Sequence, residues 1–343
     1  MADGPPMDRP EVLLAMGPGV ADRLLTPEHR HRLAALVRTD PDLVAHDLTD
    51  PPPAVATALS TADALLTCWG APVLSAEALA AAPRLRAVVH AAGSVRHHIT
   101  DACWERGLTV SSAAAANALP VAEYALAAIL FAAKRVPAVA RRYAALRAPH
   151  DWGAELAGAG AYRRTVGVVG ASRVGRRVIA LLRPFDLRVL LYDPYIDDAG
   201  AAALGAVRMD LDQLCRASDT VTLHAPALPE TEGMIDARRL ALLRDGATLV
   251  NTARGVLVDG PALLAELVSG RLSAVLDVTE PEVPPADSPL YTLPNVLLTP
   301  HLAGSLGGEL HRLAECALDE LERFATGRPF AEAVDREALG RLA

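Results

Sequence analysis

Residues Thr165 to Asp193 read TVGVVGASRVGRRVIALLRPFDLRVLLYD: a short apolar run, a turn of small residues, a helical pattern and a second apolar run that closes on an acid. Val166, Val168 and Val169 predict a strand covered on both faces, because β-branched residues without polar alternation suit a buried parallel strand. Gly170, Ser172 and Gly175 then fall at the three small-residue positions of a pyrophosphate-binding turn. In such a turn the first position lets the chain reverse, the second lets the backbone approach the phosphates, and the third lets the following helix pack on the strand. Serine at the second position narrows that approach, but its hydroxyl can itself bond a phosphate oxygen. Arg173 and Val174 open a helix whose N-terminus presents amide groups and partial positive charge to an anion. Asp193 closes the next strand, Leu187 to Tyr192, about 20 residues past the turn, where a carboxylate can accept both ribose hydroxyls of an adenosine. No Arg or Lys follows in Pro194 to Asp198, so a 2′-phosphate would meet repulsion, and the cofactor expected is NAD rather than NADP.

The chain has 343 residues, is 51% hydrophobic and carries a formal net charge of -8. Such a length suits two domains, and the apolar share suffices for two cores. The acidic balance argues against nucleic acid as a partner but not against an anionic substrate, since an anion pocket needs only local positive charge. Cys68, Cys103, Cys215 and Cys316 stand far apart without metal-like spacing, so buried reduced thiols and no metal are expected. Residues 1 to 10 read as a disordered lead. Met1 to Val12 lacks the basic and apolar blocks of a signal peptide, and no apolar run reaches about 18 residues; a cytoplasmic protein without a membrane partner is expected.

Strands and helices alternate on either side of the opening stretch. Before it the pattern gives a strand over Glu11 to Met16, a helix over Pro27 to Arg38 capped by Thr26, and a strand over Leu65 to Trp69. A helix over Ser75 to Ala82, a strand over Leu85 to Ala91, a helix over Thr100 to Arg106 and a short strand ending at Val110 follow. This rhythm implies a parallel sheet in a first, smaller domain. Ala91 to Val95 follows a strand directly and so stands at a carboxyl-end crevice. Arg96, His97 and His98 read as a solvated helix start, or as charge that meets an acidic substrate tail. Ala113 to Val136 predicts a long alanine-rich helix, broken only by Pro120, that buries more than one face, against the nucleotide domain and a second subunit. Arg141 to Gly160 reads as a connection or dimer arm.

Beyond Asp193 the pattern gives a short helix over Leu211 to Cys215 and strands over Thr220 to His224, Ala247 to Asn251, Leu272 to Asp277 and Val296 to His301. Helices over Ala237 to Leu243 and Gly260 to Ser269 lie between them. In a doubly wound sheet all these strand ends point to one edge, so the loops that carry Arg254, Glu282 and His301 are expected to converge. Moving a hydride to or from a carbon that bears oxygen leaves a proton to handle on that oxygen. An imidazole titrates near neutrality and suits the task, which points to His301. A carboxylate on the other ring nitrogen holds the ring and favours its protonated, keto-reducing form; Glu282 is the candidate. An arginine can polarise a carbonyl and grip a neighbouring carboxylate with two parallel hydrogen bonds, the role predicted for Arg254.

The combination of Gly170-x-Ser172-x-x-Gly175 with Asp193, Asn251-Thr252-Ala253-Arg254-Gly255, Leu276-Asp277-Val278 with Glu282, and Thr299-Pro300-His301-x-x-Gly304 resembles the D-isomer-specific 2-hydroxyacid dehydrogenase family, over nearly the whole chain. The resemblance implies an α/β fold: a doubly wound parallel-sheet (Rossmann) NAD domain over residues 117–304, plus a smaller flavodoxin-like α/β substrate domain. That second part would span residues 1–116 and be completed by 305–343, including a last helix over Ser305 to Thr326. An NAD-dependent homodimer is implied, with Arg254, Glu282 and His301 as the catalytic trio. Gly170, Ser172, Arg173, Val174, Gly175, Asp193, Thr252, Ala253, Arg254, Asp277, His301 and Gly304 would line the NAD, with His224, Ala225, Pro226 and Thr231 nearby. Ala92, Gly93 and Ser94 match the backbone loop that grips the substrate carboxylate, beside Arg254 and His301.

Some residues depart from the family's pattern. Ala91-Ala92-Gly93-Ser94-Val95 stands where many members have a second glycine or an Asn, so the pocket need not fit a known small acid. Glu282 rather than glutamine beside His301 speaks against a formate dehydrogenase. No regulatory domain is expected after Ala343, and a serine-sensing phosphoglycerate enzyme is therefore not expected. The reaction expected is interconversion of a 2-oxo acid and its D-2-hydroxy acid. Two alternatives stand beside it: a phosphite or phosphonate dehydrogenase with the same trio and Arg96 or His97 neutralising the substrate, and an NADH-sensing corepressor-like binding protein.

Overall fold

The computed structural model describes residues 9–339, so most of the lead expected over residues 1 to 10 lies outside the described residues. Two compact units divide the described residues, one formed by 9–118 together with 305–339, the other by Leu119–Gly304.

In the first unit β1 (Val12–Ala15), β2 (Val44–Ala45), β3 (Ala64–Thr67), β4 (Ala87–His90) and β5 (Thr109–Ser112) form one parallel sheet in the order β2-β1-β3-β4-β5. That is the flavodoxin-like order. β1, β3 and β4 are buried along their whole length, as expected of strands covered on both faces. Successive side chains serve two cores. Leu14, Leu66 and Val89 pack with Leu33 and with Leu313, Leu318 and Leu321 of the helix Leu310–Ala325, while Leu13, Leu65 and Val88 pack with Leu59 and Leu79. Thr26 and Ser75 cap their helices through His29 N and Ala78 N, as the sequence predicts. Past that last helix the chain returns to β5: Ala333 bridges Ser111 in antiparallel sense, and Val334 N donates to Val110 O at 2.7 Å. Glu320, buried in the helix, accepts from Ala331 N at 3.1 Å and ties the returning segment down.

The second unit holds β6 (Thr165–Val169), β7 (Arg188–Tyr192), β8 (Val207–Arg208), β9 (Thr220–Leu223), β10 (Thr248–Asn251), β11 (Ser273–Leu276) and β12 (Val296–Leu298). All pair in parallel, in the order β12-β11-β10-β9-β6-β7-β8. The strand order reverses between β6 and β9, the switch point at which doubly wound sheets bind ligands. The helix Ala114–Ala133 lays Ala122, Ala125 and Ile129 against Val166, Val168 and Ile179, and Ala128 against Val250 and Val275. By length and composition alone this helix is apolar enough to cross a membrane, but the faces just named are taken up by the sheet.

It stops at Ala133 rather than at Val136, and a second helix, Val136–Leu146, runs into the segment read as a connection or dimer arm. Pro120 lies inside the first helix without ending it, so the break expected there does not occur, and Pro137 stands in the first turn of the second, where proline is best accommodated.

Candidate active site

The turn after β6 needs both of its glycines. Gly170 has φ 95, and a Cβ there would stand 2.7 Å from Ala225 N; a Cβ on Gly175 would stand 2.0 Å from Gly170 O. Ser172 is the N-cap of the helix Arg173–Leu182, its Oγ accepting from Gly175 N at 3.3 Å. Such a cap contributes about 1 kcal/mol, and the hydroxyl hydrogen is still there to donate to an anion. The residue that departs from the turn pattern is therefore the one that fits the helix. Asp193 accepts from Ala171 N at 2.7 Å through Oδ2 and from Tyr195 N at 2.8 Å through Oδ1. Each carboxylate oxygen retains a second lone pair for a hydroxyl.

Across the switch point β9 runs into His224, Ala225 and Pro226. His224 is buried, its Nε2 2.9 Å from Thr222 Oγ1, and burial pushes its pKa down to about 3. Its Nδ1 and the hydroxyl of buried Thr252, at the end of the adjacent β10, have no hydrogen-bond partner among the described residues. Buried polar atoms left without partners beside a glycine turn fit a polar ligand that supplies those partners, as a dinucleotide would. The hydroxyl of Thr231, by contrast, is taken up inside its own loop, donating to Pro226 O at 2.6 Å and accepting from Leu228 N at 2.9 Å.

β10, β11 and β12 are neighbours in register, so the loops that leave them emerge side by side. Asn251 shapes the first loop: its Oδ1 accepts from Ala253 N at 3.1 Å and its Nδ2 donates to Arg254 O at 2.9 Å. Arg254 is exposed, with Nη1 donating to Ala253 O at 2.6 Å. A Cβ on Gly255 would fall 2.1 Å from the carbonyl carbon of Thr279, so this loop meets the next one backbone to backbone. In that second loop the Thr279 hydroxyl donates to Pro281 O at 2.7 Å just ahead of Glu282. Glu282 Oε1 lies 2.5 Å from His301 Nδ1, with both side chains exposed.

His301 has φ 52, the left-handed region, which costs a non-glycine residue about 1 kcal/mol or more. Asp277, 1% exposed, holds it there. The Asp277 carbonyl accepts from His301 N, Oδ1 accepts from Leu302 N and Oδ2 from Ala303 N, each at 2.9 Å. The Thr299 hydroxyl donates to Oδ1 at 2.6 Å, and the Tyr124 hydroxyl lies 2.8 Å from Thr299 Oγ1. Burial pushes the Tyr124 phenol pKa up, so it stays a neutral hydrogen-bonding group. The approach of His301 is thus fixed by more than Pro300. Asp277, expected among the NAD-lining residues, has its carboxylate committed to the loop of His301, and the parts of Thr299 and Tyr124 were not foreseen. Gly304 closes this loop half-buried.

Ala92, Gly93 and Ser94 belong to the first unit and follow β4 as predicted, Ala92 buried and the other two half-buried. The cluster after them departs from its reading as a solvated helix start. His98 is fully buried, and only Arg96 and His97 are exposed. Thr67 Oγ1 lies 2.9 Å from His90 Nδ1 and 3.5 Å from His98 Nε2. Burial, reinforced by the neighbouring imidazoles His98 and His97, holds His90 well below the usual histidine range; burial and His97 push His98 down to about 3.

The sequence model of the NAD binding domain of D-isomer specific 2-hydroxyacid dehydrogenases matches residues 126–303. A glyoxylate reductase of Korarchaeum cryptofilum is 33% identical over 279 residues, 81% of this chain and 84% of that protein. The chain belongs to the D-isomer specific 2-hydroxyacid dehydrogenase family. Its second unit carries the family's NAD binding domain. The D-3-phosphoglycerate dehydrogenase of Mycobacterium bovis is 38% identical over 280 residues, 81% of this chain but 52% of that protein. The chain thus spans about half the length of the curated phosphoglycerate dehydrogenases it matches. Among solved structures, a D-lactate dehydrogenase from Aquifex aeolicus complexed with NAD and lactic acid is 28% identical, with a TM-score of 0.71 over 92% of this chain and 96% of that one.

Proposed function

We propose that this family member interconverts a 2-oxo acid and its D-2-hydroxy acid with NAD. The observation that carries the proposal is the contact of 2.5 Å between His301 and Glu282, on a loop adjacent to the one that bears Arg254. Bound NAD supplies the hydride acceptor or, reduced, the donor. Glu282 on Nδ1 orients the His301 ring, so that Nε2 gives a proton to the substrate oxygen in reduction and takes it back in oxidation. Arg254 grips the substrate carboxylate through its planar fork and polarises the neighbouring carbonyl. Gly170, Ser172, Arg173, Val174 and Gly175 hold the pyrophosphate, and Asp193 the adenosine ribose. Ala225, Pro226, Thr231, Ala253 and Gly304 line the same ligand, with His224 and Thr252 offering their unpartnered polar atoms. The first unit serves as the substrate domain, with the backbone of Ala92, Gly93 and Ser94 on the substrate carboxylate, and the working assembly is a homodimer.

A panel of 2-oxo acids graded in size and charge, followed by NADH absorbance with phosphite and NAD run alongside, tests this reading. Turnover of at least one 2-oxo acid is expected. Turnover of phosphite alone would transfer the same trio to phosphorus oxyacids, and tight NADH binding with no turnover at all would leave a binding protein.

A further inference from the structure

Away from the loops of Arg254 and His301, the second unit carries a cavity of about 310 Å³ at the opposite, amino-terminal edge of its sheet. Val166 of β6, Thr220 of β9 and Thr248 of β10 form its floor, and the last turn of the helix Ala114–Ala133 forms one wall. Three guanidinium groups line it, those of Arg135, Arg164 and Arg244, together with the carboxylates of Asp219 and Asp245.

The carboxylates do not balance the guanidiniums. Asp219 is shared, with Oδ1 3.0 Å from Arg164 Nη1 and 3.6 Å from Arg244 Nη1, while its Oδ2 accepts from Thr165 N at 2.8 Å. Asp245 lies 3.5 Å from Arg271, outside the cavity lining. The side chain of Arg135 has no hydrogen bond or ion pair among the described residues. The backbone at Arg135 is left-handed, with φ 54, and Nη2 lies 3.0 Å from where a Cβ on Gly246 would stand. Arg135 is exposed, and its guanidinium lies over the bare backbone of Gly246 at the cavity with no carboxylate partner among the described residues. The negative end of the neighbouring helix does not account for it, because the carbonyls of Ala132 and Ala133 already accept from Arg135 N and Gly160 N, at 2.9 and 2.7 Å.

We infer that this cavity is a binding site for a small polyvalent oxyanion, a di- or tricarboxylate or a phosphate, held by Arg135 with Arg164 and Arg244. Guanidinium groups match such oxygens in pairs, and a concave wall sharpens their field. The site is separate from the substrate's place in the proposed reaction, since β10 runs from Thr248 at the cavity to Asn251 at the loop of Arg254.

Isothermal titration of the NADH-saturated protein with citrate, and separately with inorganic phosphate, reads the site directly. Each anion is compared with chloride at matched ionic strength, and NADH already fills the pyrophosphate turn. Saturable one-to-one binding is expected, weakened at least about tenfold by Arg135→Met and, independently, by Arg244→Met. The relative affinity of the two anions separates a carboxylate source from a phosphate source. No binding beyond chloride, binding that NADH displaces, or an affinity left unchanged by either substitution overturns the inference.

Discussion

β4 of the first unit ends in His90, which packs with His98 against Thr67 away from water, whereas the loop after β12 of the second unit sets His301 in solvent against Glu282. All three histidines stand at or just beyond the carboxyl end of a parallel strand, the edge where ligands of such sheets bind. What separates them is hydration and a charged partner. An imidazole stripped of water stays neutral over the whole physiological range; one left in water with a carboxylate at one nitrogen can pass a proton through the other. A place at the sheet edge does not by itself make a general acid.

The sharpest way to break that comparison is to remove the imidazoles. His301→Ala is expected to lower kcat/KM by about 10²- to 10⁴-fold in steady-state NADH oxidation, with Glu282→Gln lying between it and the unaltered protein. His98→Leu should leave the rate within a few-fold; a loss as deep as that of His301→Ala would erase the distinction. Acid stability probes the other side of the contrast. His98 and His224 lie near 3 in the folded chain against 6.5 unfolded, and His90 is lowered in the same direction. Between those values the unfolded chain binds more protons. The contribution is therefore whole above pH 6.5 and is lost as pH falls toward 3, at roughly 1 kcal/mol per pH unit for each imidazole. Thermal unfolding scans across that range should show Tm falling only below pH 6.5, and a shallower fall in His98→Leu; an unchanged slope in the variant would remove His98 from the account. The smallest effect concerns the support of His301. Tyr124→Phe removes one hydrogen bond to Thr299 and is expected to lower kcat by less than about tenfold at unchanged KM, with Tm down by a few degrees at most.

The stretch around β6 was legible nearly to the residue because strand, turn, helix and terminal acid constrain one another within one local unit. Short elements without such mutual support were not. β2 and β8 are two residues each, and the helix Pro53–Thr61 has no charged face to give it a period. Arg254, Glu282 and His301 were legible as strand-end residues, because adjacency in a parallel sheet follows from topology. The grip of Asp277 on the loop of His301 was not, since it depends on how residues 299–303 fold back over that carboxylate. Burial of His98 was hidden for a related reason: Arg96 and His97 beside it are exposed, and a run of polar letters does not say which of its members turns inward.

The segment that returns to β5 has a consequence for how the chain is made. Ala333 and Val334 add to a sheet whose other strands all precede residue 113, and the helix Leu310–Ala325 fills one of its two cores. Leu119–Gly304 is continuous and can close as soon as it leaves the ribosome, while the amino-terminal sheet must wait with one apolar face only partly covered until the far end of the polypeptide arrives. The part synthesised first is completed last, and its core keeps exposed apolar side chains until that helix is made.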